Sequence, residues 1–271
     1  MDESGVRSVI EALDAVAAGP AAERMRALLG ANRPDVRYLV VRVSGGAAPR
    51  IASICASVLT AAGAPTGVLD GEPVLPDGPL DDALYARAGR LALSAASQLG
   101  LQRPELGEPS RREVEIVLAL TAFAEASLRV VLLIEERSGS DAALGVVDAD
   151  ITTFGRLADD AVETALARLP EGRPVVSAPQ QPAIRARIES VSAARGLPLL
   201  IGGRDFTFED ADGGTDVVVA GERYAALPRD DRTEGWMLAT GIAAALGVGT
   251  LGVRMRTEWV IAGAREAARR Q

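Results

Sequence analysis

Lysine and histidine are missing from this chain: its 29 basic residues are all arginine. Without lysine there is no Schiff base, no carbamylated side chain and no ammonium to hold a phosphate. Without histidine there is no imidazole base, triad or metal ligand. A GC-rich coding bias, which favours arginine, alanine and glycine, is the simplest reading of the pattern; selection against modifiable amines is the alternative. Cysteine is almost as scarce. Cys55 stands alone, which excludes an internal disulfide and suits a reducing compartment. Positive charge is in deficit, with a formal net charge of −8 and a pI near 4.8. Nucleic acid and anionic membrane surfaces both select a basic face, so neither is an expected partner. Long apolar runs are lacking too: Ile116–Leu120 and Val130–Ile134 fall far short of a bilayer span. The start, Met1-Asp2-Glu3-Ser4, is acidic and leads into no apolar h-region, so no secretory signal is expected. The expected location is the cytoplasm.

What is present suffices for one large core: 271 residues, 48% of them hydrophobic. Tyr38–Val43 is apolar nearly throughout, as befits a strand covered on both faces of a parallel sheet. Ser44-Gly45-Gly46 follows as a tight turn, and Ile51–Ala62 has helical spacing and ends at Gly63. Strand, glycine turn and helix in that order make the frame of a phosphate-binding loop, where backbone N–H groups and the positive end of a helix meet an anion. The reactive parts of G-x-x-x-x-G-K-[ST] are absent, because Pro49, Arg50 and Ile51 stand where a lysine and a hydroxyl belong.

Gly67–Leu69 reads as a second strand, Asp70–Leu80 as a surface loop, Asp81–Leu99 as a helix and Gly100–Pro109 as another loop. Ser110 with Glu113 is a capping box for a helix running to about Ser127 that packs directly on the sheet. Val130–Ile134, Ala143–Val147 and Ile151–Phe154 read as strands; Ala158–Leu169 and Ala183–Arg195 as helices between the strands Pro174–Ser177 and Pro198–Ile201. From Arg204 the period changes to two around a Gly-Gly turn, and Trp236–Leu246 and Arg256–Ala268 close the chain as helices. The fold expected is α/β, a doubly wound and mostly parallel sheet flanked by helices, with a small antiparallel extension. One domain spans 1–271. It has a helical lead-in over 1–36 (Val6, Val9, Ile10, Leu13, Val16, then Met25, Leu28, Leu29), a core over 37–203, the extension over 204–228 and closing helices over 229–271.

The order of these landmarks resembles the folylpolyglutamate and dihydrofolate synthases, and more broadly the P-loop NTPase-like central domain of the Mur ligases. Ala12-Leu-Asp…Glu23-Arg-Met-Arg-Ala-Leu-Leu29 resembles their first helices, and Val43–Gly46 with Ile54–Gly63 their phosphate loop and helix. Val114-Glu115…Leu120-Thr-Ala-Phe-Ala124 is similar to their F-E-x-x-T-A-x-A-F helix. Val130–Glu135 resembles the strand carrying a metal-binding glutamate, and Asp148-Ala-Asp-Ile-Thr-Thr153 their D-A-D strand. Gly172–Gln180 and Gly203–Phe206 are similar to two further landmarks. The departures fall on chemistry. G-T-N-G-K-G-[ST] is here Gly45–Ile51 without its lysine, D-H-T-x-x-L-G is missing after Thr153, and the carbamylated lysine falls near Ala165. Asp230–Gly235 replaces H-Q-x-x-N, and Gln271 lies about where the family continues into a carboxy-terminal domain for the incoming amino acid.

The resemblance with these departures implies a non-catalytic homologue, a pseudoenzyme that uses no cofactor and serves as scaffold, partner subunit or small-ligand binder. One alternative is an ATP- and Mg-dependent amide ligase working with a separate partner domain, with Arg50 and Glu135 on reduced duty. Another is cofactor-independent chemistry with an Asp or Glu base. The loop remnant comprises Ser44, Gly45, Gly46, Arg50 and Ser53. Arg50 could clamp an anion bidentately, although a solvent-exposed first-turn arginine beside Pro49 is the preferred reading. Glu135 and Glu136 sit where open α/β sheets bind ligands and could hold Mg through oxygen; a solvated strand terminus is the plainer reading. Asp148 and Asp150 alternate on one strand face and could pair in acid–base work, capping being commoner. Cys55 reads as core, and Trp236 and Trp259 as core or interface anchors. A homo-oligomer, most simply a C₂ dimer, is expected, with another biosynthetic enzyme or a ligase as a further partner.

Overall fold

Val40, Val41 and Val43, and the Val130–Ile134 run, are β-branched or leucine segments too short for helices, and they condense at the centre of one sheet. The computed structural model describes residues 21–32, 34, 37–136, 141–211 and 213–269. The helical spacing expected over Val6–Val16 lies outside them. In chain order the elements are α1 (Ala21–Asn32), β1 (Leu39–Ser44), α2 (Ala48–Ala61), β2 (Thr66–Asp70), β3 (Glu72–Leu75), β4 (Gly78–Pro79), α3 (Asp82–Gln102), α4 (Arg111–Glu125), β5 (Val130–Glu135) and β6 (Ile151–Phe154). There follow α5 (Val162–Ala167), β7 (Val175–Ser177), α6 (Pro182–Ala194), β8 (Leu199–Ile201), β9 (Phe206–Ala211), β10 (Gly214–Val219), β11 (Glu222–Leu227), α7 (Gly235–Gly249) and α8 (Thr257–Arg269).

The main sheet runs β4-β3-β2-β5-β1-β6-β7-β8, and β11-β10-β9 form a separate antiparallel sheet. The six strands from β2 to β8 in that order are parallel, while β3 and β4 add an antiparallel edge. This is the doubly wound, mostly parallel sheet expected, and the antiparallel strands expected over 204–228 are the separate sheet β9–β11. The two strands flanking the glycine turn and its helix, β1 and β2, are not neighbours, because β5 lies between them.

Pleating sends alternate residues to opposite faces. Val41, Val43, Leu132 and Ile134 pack against α2, α7, α8 and the small sheet. Val40, Val131 and Leu133 pack against α1, α3 and α4. A third cluster joins Phe154 and Val175 to α5 and α6. α7 is apolar all round because it is enclosed between the two sheets, its contacts running to β6, β7, β9 and β10. Among the described residues no helix is long and apolar enough to cross a membrane.

The Ser110–Glu113 capping box forms at the start of α4, with Ser110 Oγ accepting from the Glu113 amide at 3.3 Å and Glu113 Oε2 from the Ser110 amide at 2.6 Å. Three expectations are corrected. Asp70–Leu80 is not a loop but the meander β3–β4, whose Pro73 and Pro79 fit short outer strands where few ladder donors are required. Ala143–Val147 is not a strand: Asp141 Oδ1 accepts from the amides of Ala143 (3.0 Å) and Leu144 (2.9 Å), which bends the chain into a 3₁₀ turn at Leu144–Val146. Ala158–Leu169 is helical in its α form only over Val162–Ala167, after a 3₁₀ turn at Asp159–Ala161.

Cys55 is fully buried on α2, and burial pushes its thiol up to about 12. The thiolate is the reactive form. Native protein at pH 8 should therefore leave a disulfide reagent such as DTNB unreacted, while protein in denaturant reacts at the rate of an ordinary thiol. Native-state labelling as fast as unfolded labelling would contradict this burial.

Candidate functional site

The loop lies at the carboxyl end of β1, between β5 and β6. Gly45 takes a φ of +93°, which favours glycine, and Ala47 at +62° starts α2 without a side-chain cap. Three of the loop N–H groups that would greet an anion are spent within the fold. Gly45 N–H donates to the Glu135 carbonyl at 3.1 Å, Gly46 N–H to the Arg156 carbonyl at 2.7 Å and Ala48 N–H to the Gly45 carbonyl at 3.1 Å. Gly155 N–H in turn donates to the Ser44 carbonyl at 2.7 Å, so the backbone after β6 lies directly on the loop. A Cβ on Gly155 would stand 2.1 Å from the Gly46 carbonyl oxygen. Gln180 secures this segment, donating to the Gly155 carbonyl at 2.7 Å and accepting from the Leu157 amide at 3.0 Å. The Arg156 guanidinium stacks on the Trp236 ring at 4.5 Å, and Trp236 Nε1 donates to Glu234 at 2.8 Å.

Arg50 is neither the solvent-exposed residue preferred from sequence nor a free clamp. It donates to the Asp230 carboxylate, to Thr233 Oγ1 and, at 3.3 Å, to the Ala267 carbonyl near the end of α8. Burial works to raise the Asp230 pKa, yet the Thr233 hydroxyl, the Arg232 amide and the Arg50 charge outweigh it and hold the carboxyl below its usual range. Ser53 lies half-buried on the second turn of α2.

Glu135 is buried, correcting the solvated-terminus reading, and its carboxylate accepts from Arg168 at 2.9 Å. Register places Ser44 opposite both Glu135 and Phe154, and Arg42 opposite Thr152. These side chains share one sheet face with α5, and with Ala165 and Arg168 they enclose only about 10 Å³. Arg42, on the same face, donates to the carbonyls of Leu144, Gly145 and Val147. Burial pulls its pKa down, and Glu135 opposes that. One carboxylate thus sits between two guanidiniums.

As arranged, these residues do not fit a metal-bound nucleotide. The Gly45, Gly46 and Ala48 amides are occupied by carbonyls, the glutamate by an arginine, and the enclosed space is too small for a phosphate. Among the described residues no group of three or more candidate ligands could hold a metal ion.

Asp148 and Asp150 precede β6 rather than alternating along it. Asp148 is exposed, and Asp150 accepts from the Val40 amide at 2.9 Å and pairs with Arg173 at 3.1 Å. It therefore staples the amino ends of β1 and β6. Val40 precedes Ser44 by four residues, so Asp150 lies about 13 Å along the strand from the loop. Glu136 is exposed beyond β5. Trp236 is core, whereas Trp259 is half-buried under Arg256 at 4.8 Å. Arg42, Arg168, Gln180 and the Asp230–Thr233 pair were not singled out from sequence; only Gln180 and the 230–235 segment had a signal, as a landmark and as a replaced element.

The sheet order and the glycine turn between β1 and α2 define a doubly wound α/β fold. The fold is that of the folylpolyglutamate synthases and their Mur-ligase-like relatives. No family profile and no curated protein sequence matches the chain. Solved structures do. A Mycobacterium tuberculosis folylpolyglutamate synthase complexed with ADP superposes with a TM-score of 0.84 at 17% identity, covering 98% of this chain and 66% of that one. The Thermotoga maritima folylpolyglutamate synthase gives 0.83 at 16% identity, covering 100% of this chain and 66% of that one. The Lactobacillus casei folylpolyglutamate synthetase gives 0.83 at 18%, covering 97% and 71%. The chain spans about two thirds of the length of these relatives.

Proposed function

We propose that this chain is a non-catalytic member of the ligase fold, serving as a scaffold or partner subunit. The observation carrying this reading is the self-satisfied loop: Gly45 and Gly46 N–H groups bonded to the Glu135 and Arg156 carbonyls, and Arg50 and Glu135 each paired within the chain. Phosphoryl transfer depends on positioned charge against the phosphates, and here that charge is neutralised internally. The ADP and AMPPCP complexes among the relatives favour a second reading, an ATP-dependent amide ligase that opens its loop with a partner domain.

Thermal denaturation separates the two. A ligand at a hundredfold its Kd stabilises by about 2.7 kcal/mol, which is several degrees in Tm for a chain of this size. Millimolar Mg-ATP should leave the Tm of this protein unchanged. A rise of several degrees that disappears in Arg50→Ala, each protein compared with its own nucleotide-free Tm, would overturn the non-catalytic reading.

A further inference from the structure

We infer that a cleft at the outer edge of the main sheet is a binding site for a small organic cation carried on a flat apolar body. The cleft lies where the β3–β4 meander folds over α3 and α4. It has a volume of about 420 Å³, within the range of roughly 300–1,000 Å³ usual for small-molecule sites. Pro79 and Leu118 supply apolar wall, and the half-buried ring of Tyr85 stands beside them.

The polar groups are Glu72, Arg111 and Glu115. Arg111 and Glu115 pair at 2.7 Å and largely cancel, whereas Glu72 has no ion pair among the described residues. The field is accordingly negative. Burial, then Glu115 and Glu72, push the Tyr85 phenol up, with Arg111 opposing. Asp70, the register partner of Glu72 across β2 and β3, has its carboxyl raised by burial and by Glu136. A cation beside Glu72 with its ring against Tyr85 and Pro79 satisfies both the charge and the apolar wall, while an anion meets repulsion. Strands β2 and β5 separate this edge from β1, about 10 Å or more from the glycine loop. The site therefore stands or falls independently of the non-catalytic reading.

Titration of the full chain at low salt with phenethylamine, followed by calorimetry, tests it, with 2-phenylethanol and phenylacetate as the neutral and anionic analogues. The amine should bind tightest and the acid weakest. Glu72→Gln, at an exposed position, should weaken the amine about three- to fivefold, the scale of one partly solvated ion pair, and leave 2-phenylethanol unchanged. Leu80→Trp, which fills the cleft, should abolish binding of both. The inference fails if phenethylamine does not bind, if phenylacetate binds as tightly, or if Glu72→Gln with wild-type Tm binds the amine as well as the parent. It also fails if Leu80→Trp with an unchanged Tm retains binding.

Discussion

Arg24→Met should cost about 3–5 kcal/mol of stability, the loss expected when one partner of a buried ion pair is removed. Arg24 on α1 and Glu113 at the start of α4 are each 1% exposed and meet at 2.9 Å. Arg24 Nη1 also donates to the Leu106 carbonyl at 3.1 Å, which ties both helices to the turn before α4. The variant leaves a carboxylate in the core to which the Ser110 amide donates at 2.6 Å but with which no cation among the described residues is paired. Removing the charge as well, in Arg24→Met with Glu113→Gln, should recover more than half of the loss, because the neutral amide oxygen still accepts from Ser110 while the buried charge is gone. Urea denaturation at neutral pH measures both variants. A single variant within about 1 kcal/mol of the parent, the upper end of a surface pair, would show that the pair contributes no more than an exposed one.

Gly155→Ala should cost about 3 kcal/mol, the upper part of the usual range for overpacking. The added methyl would meet the Gly46 carbonyl oxygen at 2.1 Å and Ile51 Cδ1 at 3.2 Å. The segment has little room to yield, since Gly155 is held by the Ser44 carbonyl at 2.7 Å and by the Gln180 side chain at 2.7 Å. The bond from Gly46 N–H to Arg156 breaks first, so hydrogen exchange at the Gly46 amide should accelerate more than exchange in β5. Gly30→Ala is the matched control. Gly30 is exposed on α1 with nothing within 4 Å of its added Cβ, and alanine there should stabilise by about 0.5–1 kcal/mol. A Gly155→Ala protein as stable as its parent would mean that the loop and the segment after β6 are not locked together.

Much of the fold is legible without coordinates because its signals are local. Ser110 and Glu113 are three residues apart, and the apolar runs of β1 and β5 declare buried strands by composition. Asp141 shows where local reading fails. The segment after it is apolar enough for a strand, yet one side-chain oxygen accepting two amides turns the chain. The candidate site was legible only as a set of positions. Glu135 and the Ser44–Arg50 loop do gather at one end of the sheet, while Asp150 goes to the other, because direction along a strand is invisible until the strands are paired.

The sequence by itself determined what this protein lacks, lysine and histidine above all, together with its α/β alternation and the frame of a glycine loop. Those are properties of residue type and short spacing. The tertiary structure alone decided where the remaining charges go. Arg50 meets Thr233 across 183 residues of chain and Asp230 across 180, and Arg168 meets Glu135 across 33. Partnerships at such separations depend on how helices and strands stack, and it is this stacking that turns the glycine loop inward on its own backbone.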